Sequence, residues 1–141
     1  MNVLISACLL GVRCRYDGQS KKYDGVERLV GKYNLIPVCP EIMGGLQTPR
    51  APAERVGDRV VCDDGCDVTA QYQRGAQEVL RLARLFSCSL AILKANSPSC
   101  GSKRVYDGTF SRNLVDGMGV TAQLLSENNI RVIDETEIFD L

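Results

Sequence analysis

Seven cysteines and no histidine define the chemistry open to this 141-residue chain. Without an imidazole, a Ser-His-Asp triad, a Cys-His dyad, a His-ligated zinc enzyme, a Rieske centre and a proximal-His haem are all excluded. Any general acid or base has to be Asp, Glu, Lys, Tyr or Cys. The cysteines are Cys8, Cys14, Cys39, Cys62, Cys66, Cys88 and Cys100. An odd number in a chain with ample apolar residues makes a poor disulfide framework and points instead to metal ligation or catalysis. Three of them stand at similar places. Cys8 follows the apolar segment NVLISA, Cys39 ends LIPVC, and Cys100 lies in the loop after CSLAIL. Thiolates flanked by Pro and Gly turns, with backbone N–H groups close by, suit an iron–sulfur cluster. Structural zinc would need a fourth ligand, for which Cys14 is the candidate. A cubane on three cysteines would leave one iron open as a Lewis acid with an affinity for soft sulfur.

Other side chains near these cysteines could act on a substrate. Glu41, two residues after Cys39, is within reach of a ligand held there, or is a solvated carboxylate at a helix start. Ser97, three residues before Cys100, offers a hydroxyl, or caps the turn before Pro98. Arg50, Glu54 and Asp17 form either a structural ion-pair network or a substrate clamp. Cys88 opens an apolar strand and reads as core. Cys62 and Cys66 sit in the polar turn CDDGC, and Cys14 is a spare ligand or a loop thiol.

The elements that must position these residues follow from periodicity. Residues 2–7, 35–39, 88–93 and 130–134 are short, apolar and β-branched, as buried strands are. Helices are expected over 25–33, over 69–86 and around 121–128. Thr69 is the expected cap of the second, and Ala76, Val79, Leu80, Ala83 and Leu85 are its apolar face. The segment 55–61, with Gly57-Asp58 between valines, reads as a small hairpin extended by 62–68. Residues 40–52 and 101–120 read as loops. Alternating strands and helices imply an α/β fold, Rossmann-like, with a small mainly parallel sheet flanked by helices plus the hairpin. With no linker in view, residues 1–141 are expected to form a single domain. In such a sheet ligands gather at the carboxyl ends of the strands, where Cys8, Cys39 and Cys100 fall.

Three motifs in order then carry a resemblance: SACLLG (6–11) with CRYDG (14–18); PVCPE (37–41) with GGL (44–46) and TPR (48–50); and Lys94 with SPSCG (97–101). Together they resemble the thiouracil desulfidase family. The resemblance implies a [4Fe-4S] cluster held by Cys8, Cys39 and Cys100. It also implies that Glu41 and Ser97 are the catalytic residues, and that the reaction replaces the sulfur of a thiolated pyrimidine by oxygen without net redox change. Asp17, Arg50 and Ser99, inside the same motifs, are candidate substrate contacts.

Composition narrows the partners. Lys plus Arg and Asp plus Glu both number 17, and the aromatic content is 6%. Extended nucleic-acid binding is disfavoured, since it draws on a basic surface and stacking residues. Thiolated nucleosides or tRNA remain alternative substrates, and a non-catalytic cysteine module for metal binding or redox sensing is the alternative of a different class. No apolar run approaches the roughly 20 residues of a membrane span. The sequence ISAC (5–8) resembles a lipoprotein box but lacks a basic segment before it, so a cytoplasmic monomer or homodimer is expected.

Overall fold

The computed structural model describes residues 1–138 and 141 in full and residues 139–140 through their backbone. In chain order the elements are β1 (Asn2–Ser6), a 3₁₀ turn (Ala7–Leu10), α1 (Val26–Lys32), β2 (Asn34–Val38), α2 (Pro40–Met43), β3 (Ala53–Val56) and β4 (Arg59–Cys62). There follow α3 (Thr69–Leu85), β5 (Leu90–Leu93), β6 (Arg104–Tyr106), β7 (Leu114–Asp116), α4 (Val120–Glu127), β8 (Arg131–Asp134) and a C-terminal 3₁₀ turn (Glu135–Asp140).

Four of the strands form one parallel sheet in the order β2-β1-β5-β8. Side chains alternate across it, so each strand feeds two cores. Val3, Ile5, Leu90, Ile92 and Ile133 pack with Val26 and Leu29 of α1. Leu4, Ala91 and Leu93 pack with Val79, Leu80 and Ala83 of α3 and with Ala122 and Leu125 of α4. A sheet covered on both faces explains why these strands read as continuous apolar runs. From β1 the chain winds through α1 to β2, then returns through α2, the β3–β4 hairpin and α3 to the other side of β1 as β5. The winding therefore reverses between β1 and β5, and ligands lodge outside the carboxyl ends of the strands at such a reversal.

Several local expectations need correction. Thr69 does not cap α3: it is the first helical residue, its hydroxyl accepts the Val60 N–H at 2.9 Å, and Asp67 Oδ1 accepts the Thr69 N–H at 2.9 Å. Leu85 is exposed, and Tyr72 and Gly75, near the start of the helix, complete the buried stripe instead. The stretch 40–52 contains the short helix α2, which Pro40 starts because its missing N–H costs nothing in the first turn. The stretch 101–120 contains the antiparallel ribbon β6–β7, with strands of three residues that are too short to carry a readable period. The hairpin pairs Ala53–Val56 with Arg59–Cys62 around Gly57-Asp58.

The packing of α2 fixes the site most directly. A Cβ on Gly75 of α3 would stand 1.9 Å from the Pro40 carbonyl oxygen, and one on Gly44 would stand 1.9 Å from the Gln71 carbonyl oxygen. Two bare glycines thus let α2 and α3 meet backbone to backbone. Among the described residues, no helix is long and apolar enough to cross a membrane.

Candidate active site

A cavity of about 590 Å³ opens where the carboxyl ends of β1, β2 and β5 come together. Each strand delivers a cysteine to it. Cys8 lies in the 3₁₀ turn that directly continues β1, and Cys39 is the residue between β2 and α2. Cys100 lies seven residues beyond β5, and its N–H is held by the Ser97 hydroxyl oxygen at 3.1 Å. Cys14, from the loop after the first turn, lines the same cavity. All seven cysteines are free thiols.

The thiols are crowded and shielded. Cys14 interacts with the thiols of both Cys39 and Cys8. The Cys39 contact lowers its pKa, but the Cys8 contact and burial outweigh it and push Cys14 up to about 11. The Cys39 thiol, which also donates to the Cys14 carbonyl at 3.8 Å, is pushed up by its contact with Cys14, by burial and by Glu41. Burial and the nearby Glu41 carboxylate push Cys100 up as well. Uncompensated thiolates are therefore disfavoured here, and a bound cation would reverse that preference.

Glu41, in the first turn of α2, pairs through Oε2 with Arg50 Nη2 at 2.6 Å, with both side chains largely buried. Arg50 Nη1 donates to the carbonyls of Cys14 (3.1 Å) and Gln47 (3.2 Å) and to Thr48 Oγ1 (3.0 Å). All these partners are protein atoms, so Arg50 orients Glu41 and pins the Cys14 loop. Glu41 Oε1 has no hydrogen-bond partner among the described residues. The Ser97 oxygen accepts the N–H groups of Ser99 and Cys100, both at 3.1 Å, which leaves its hydrogen free to donate into the cavity it lines. Ser97 is thus both a turn cap and a cavity hydroxyl.

The other candidates lie apart. Ser99 is fully buried and its hydroxyl meets Thr121 Oγ1 at 2.8 Å, tying the Cys100 loop to α4. Asp17 accepts the Gln19 N–H at 3.0 Å and stands 4.0 Å from Arg15, outside the residues that line the cavity. Glu54 does line it, but does not join Arg50 and Asp17 in a network. Its buried carboxylate accepts the N–H groups of Gly108 (3.0 Å) and Phe110 (3.2 Å), which ties the β6–β7 loop to the rim. Cys88 is buried in the core beneath β5, and burial raises its pKa. Cys62 is buried against Val60, Val68 and Tyr72, while Cys66 is exposed.

Reasoning from the sequence placed Lys94 in a motif without giving it a role and passed over Tyr72, Phe110 and Arg112; all four also line the cavity. Lys94 is half-buried and pairs with Glu135 Oε2 at 2.8 Å, so the C-terminal turn braces this wall. Its place directly after an apolar strand was a usable signal. Phe110 and Arg112 depend on a ribbon that leaves no periodic trace.

Residues 3–137 match the model of the 2-thiouracil desulfurase family. The chain belongs to the 2-thiouracil desulfurase family. As a member of this family it is similar to the uncharacterized protein YbbK of Bacillus subtilis (strain 168), with 42% identity over 149 residues, covering 99% of each chain. It is also similar to the solved structure of the [4Fe-4S]-dependent thiouracil desulfidase TudS, with a TM-score of 0.95 and 44% identity, covering 99% of this chain and 94% of that one. Among the described residues the thiols that line the cavity are those of Cys8, Cys14, Cys39 and Cys100.

Proposed function

We propose that this chain, acting as a single unit over residues 1–141, is a [4Fe-4S]-dependent desulfidase of a thiolated pyrimidine. In this reading Cys8, Cys39 and Cys100 are the thiolate ligands, Glu41 is the general base and acid, and Ser97 orients the reactants. The observation that carries the reading is the meeting of these five side chains in one cavity at the sheet reversal. The 44% identity to TudS over nearly the whole chain supports it. A cavity of about 590 Å³ suits a small-molecule substrate.

The donor set fits the cofactor. The thiols are soft, those of Cys8 and Cys100 are buried and that of Cys39 half-buried, and no imidazole competes with them. Their crowding disfavours bare thiolates and favours ones neutralised by iron. Among the described residues no three Cys, Asp or Glu side chains close on one point as they would around a single ion, and a cubane spreads its thiolates over separate irons. Held by three thiolates, such a cluster supplies a Lewis-acidic iron with an open position for a thiocarbonyl sulfur.

The protein's part is to deliver water and move protons. Arg50 occupies Glu41 Oε2 and fixes the carboxylate plane, so Oε1 is the oxygen available to take a proton from water. The water oxygen forms a bond to the ring carbon as the carbon–sulfur bond breaks. Glu41 returns its proton to the departing sulfur, which leaves as hydrogen sulfide carrying both protons of the water. Oxygen replaces sulfur with no net change of oxidation state. Ser97, its oxygen occupied by two N–H groups, can only donate, and so holds an acceptor atom of the substrate or the water in line. Glu41→Gln should keep the iron content and visible spectrum of the anaerobically reconstituted protein while sulfide release from 2-thiouracil falls by roughly 10²–10⁴-fold. Unchanged release in that variant removes Glu41 from the reaction.

A further inference from the structure

The polar side chains assigned so far at the cavity all have protein partners: Glu41 pairs with Arg50, Lys94 with Glu135, and Glu54 and Ser97 each hold two N–H groups. Tyr72 differs. The residue is 2% exposed and lines the cavity, yet its hydroxyl has no hydrogen-bond partner among the described residues. The one orphaned side-chain oxygen among them that is sealed from solvent is Ser102 Oγ, so the Tyr72 hydroxyl is not sealed. What little of this side chain stays accessible therefore includes its hydroxyl, at the wall of the cavity. A buried phenol ordinarily finds a partner for its O–H, and one left open onto a cavity marks the place of a ligand or a water.

The backbone fixes this hydroxyl relative to Glu41. Tyr72 stands in the first turn of α3, its N–H bonded to the Val68 carbonyl at 3.1 Å and its ring packed with Val60, Cys62 and Val68. It lies between Gln71 and Gly75, the two residues of α3 whose backbone meets α2 at Gly44 and Pro40. Since α2 carries Glu41, the contact that seats this helix also sets the phenol against the carboxylate. Burial pushes the Tyr72 phenol well above its ordinary value, with Glu41 adding to the rise and Arg50 opposing it. The hydroxyl thus keeps its proton and stands in the field of the Glu41–Arg50 pair. No hydrogen bond joins it directly to Glu41 among the described residues, and two polar groups that face one cavity without touching leave room for a bridging water.

Resting on the desulfidase reading above, we propose that Tyr72 is a further catalytic residue, whose hydroxyl donates to the water that Glu41 Oε1 deprotonates. The water is then held at two points. Tyr72 occupies one of its lone pairs and Glu41 takes one of its hydrogens, which leaves the second lone pair to form the bond to the ring carbon. The phenol donates throughout and gives up no proton, so the proton balance of the reaction is unchanged. Ser97 is left to hold an acceptor atom of the pyrimidine.

The test compares the full chain, anaerobically reconstituted, as wild type and as Tyr72→Phe, which removes the hydroxyl and keeps the ring that packs with Val60 and Val68. Iron and sulfide per chain should be the same in both proteins, and the melting temperature should not fall, because the hydroxyl has no protein partner to lose. With 2-thiouracil as substrate, kcat for sulfide release should drop roughly tenfold, the scale of one hydrogen bond to the reacting water, while KM stays within about twofold. The pH profile of kcat should keep its shape, since Glu41 remains the proton carrier. A kcat equal to that of the wild type, or a raised KM at unchanged kcat, overturns the proposal and leaves the desulfidase reading standing. A limb of the pH profile lost in Tyr72→Phe overturns it by making the phenol a proton donor, and loss of iron or of the fold overturns it by making the hydroxyl structural. A wild type that takes up no iron or releases no sulfide overturns the proposal together with the reading on which it rests.

Discussion

The contact between Gly75 of α3 and the Pro40 carbonyl gives a prediction in which two effects oppose each other. On backbone propensity alone, Gly75→Ala in the interior of a helix stabilises by roughly 0.5–1 kcal/mol. The added Cβ, however, would stand 1.9 Å from a carbonyl oxygen, whereas real Cβ contacts are essentially never under 3.0 Å. Widening the gap from 1.9 Å to 3.0 Å moves α2 away from α3 by about 1.1 Å. The obstruction is backbone on both sides, so no side chain can swing aside. Overpacking of this kind costs roughly 1–3 kcal/mol, so the clash wins. For a domain of this size, thermal melting followed by circular dichroism should fall by several degrees, at roughly 3–5 °C per kcal/mol. The displaced helix begins one residue after Cys39 and carries Glu41, so activity should suffer more than stability. A misplacement of about 1 Å at a reacting group can cost on the order of 10²-fold. Gly31→Ala in α1 is the control, because nothing lies within 4 Å of its added Cβ. It should raise the melting temperature and leave sulfide release unchanged. A Gly75→Ala protein as stable and active as its parent would refute the claim that α2 is held by direct backbone contact.

Two further perturbations test separate parts of the structure. Glu54→Ala removes the acceptor of the Gly108 and Phe110 N–H groups, each costing roughly 1–3 kcal/mol where it stays dry. The loop over the rim should loosen, with faster proteolytic nicking within residues 107–112 and a higher KM for 2-thiouracil at nearly constant kcat; unchanged nicking and KM would show that Glu54 does not hold the rim. Asp67 is held down to about 2 from an ordinary 3.8 by the hydroxyl and N–H of Thr69 and by Arg59. A depressed carboxyl pKa adds stability above its unfolded value that is lost as pH falls from about 4 to about 2. Asp67→Asn should therefore lower stability at neutral pH and flatten the acid limb of the unfolding profile, and an acid limb identical to that of the parent would contradict this.

What was legible in the sequence follows from what leaves a periodic or compositional trace. The buried strands at β1, β2, β5 and β8 show as apolar runs because both faces of the sheet are covered, and strand ends were enough to put Cys8, Cys39 and Cys100 at one edge, whereas the strand order and its reversal between β1 and β5 leave no trace in the sequence. The partnership of Glu41 with Arg50 leaves no such trace, since nine residues and a turn of irregular chain separate them. The same holds for Glu54, whose partners lie more than fifty residues away on a ribbon of two three-residue strands. Thr69 looks like a cap from its type, yet its hydroxyl serves the N–H of Val60, a tertiary demand that local rules do not register. Ser99 sits in a motif beside Cys100, but its backbone places the hydroxyl against Thr121, behind the cavity wall.

The central claim is a cluster held by Cys8, Cys39 and Cys100 in a protein that releases sulfide from a thiolated pyrimidine. Its most direct test is iron and acid-labile sulfide quantitation after anaerobic reconstitution, with serine replacing each of the three cysteines in turn and Cys88→Ser as the control. The account predicts about four irons per chain in the parent and the control, and a lost or grossly depleted cluster in each of the three variants. Full iron content in any of those three, or a parent that binds zinc in place of iron, would contradict it.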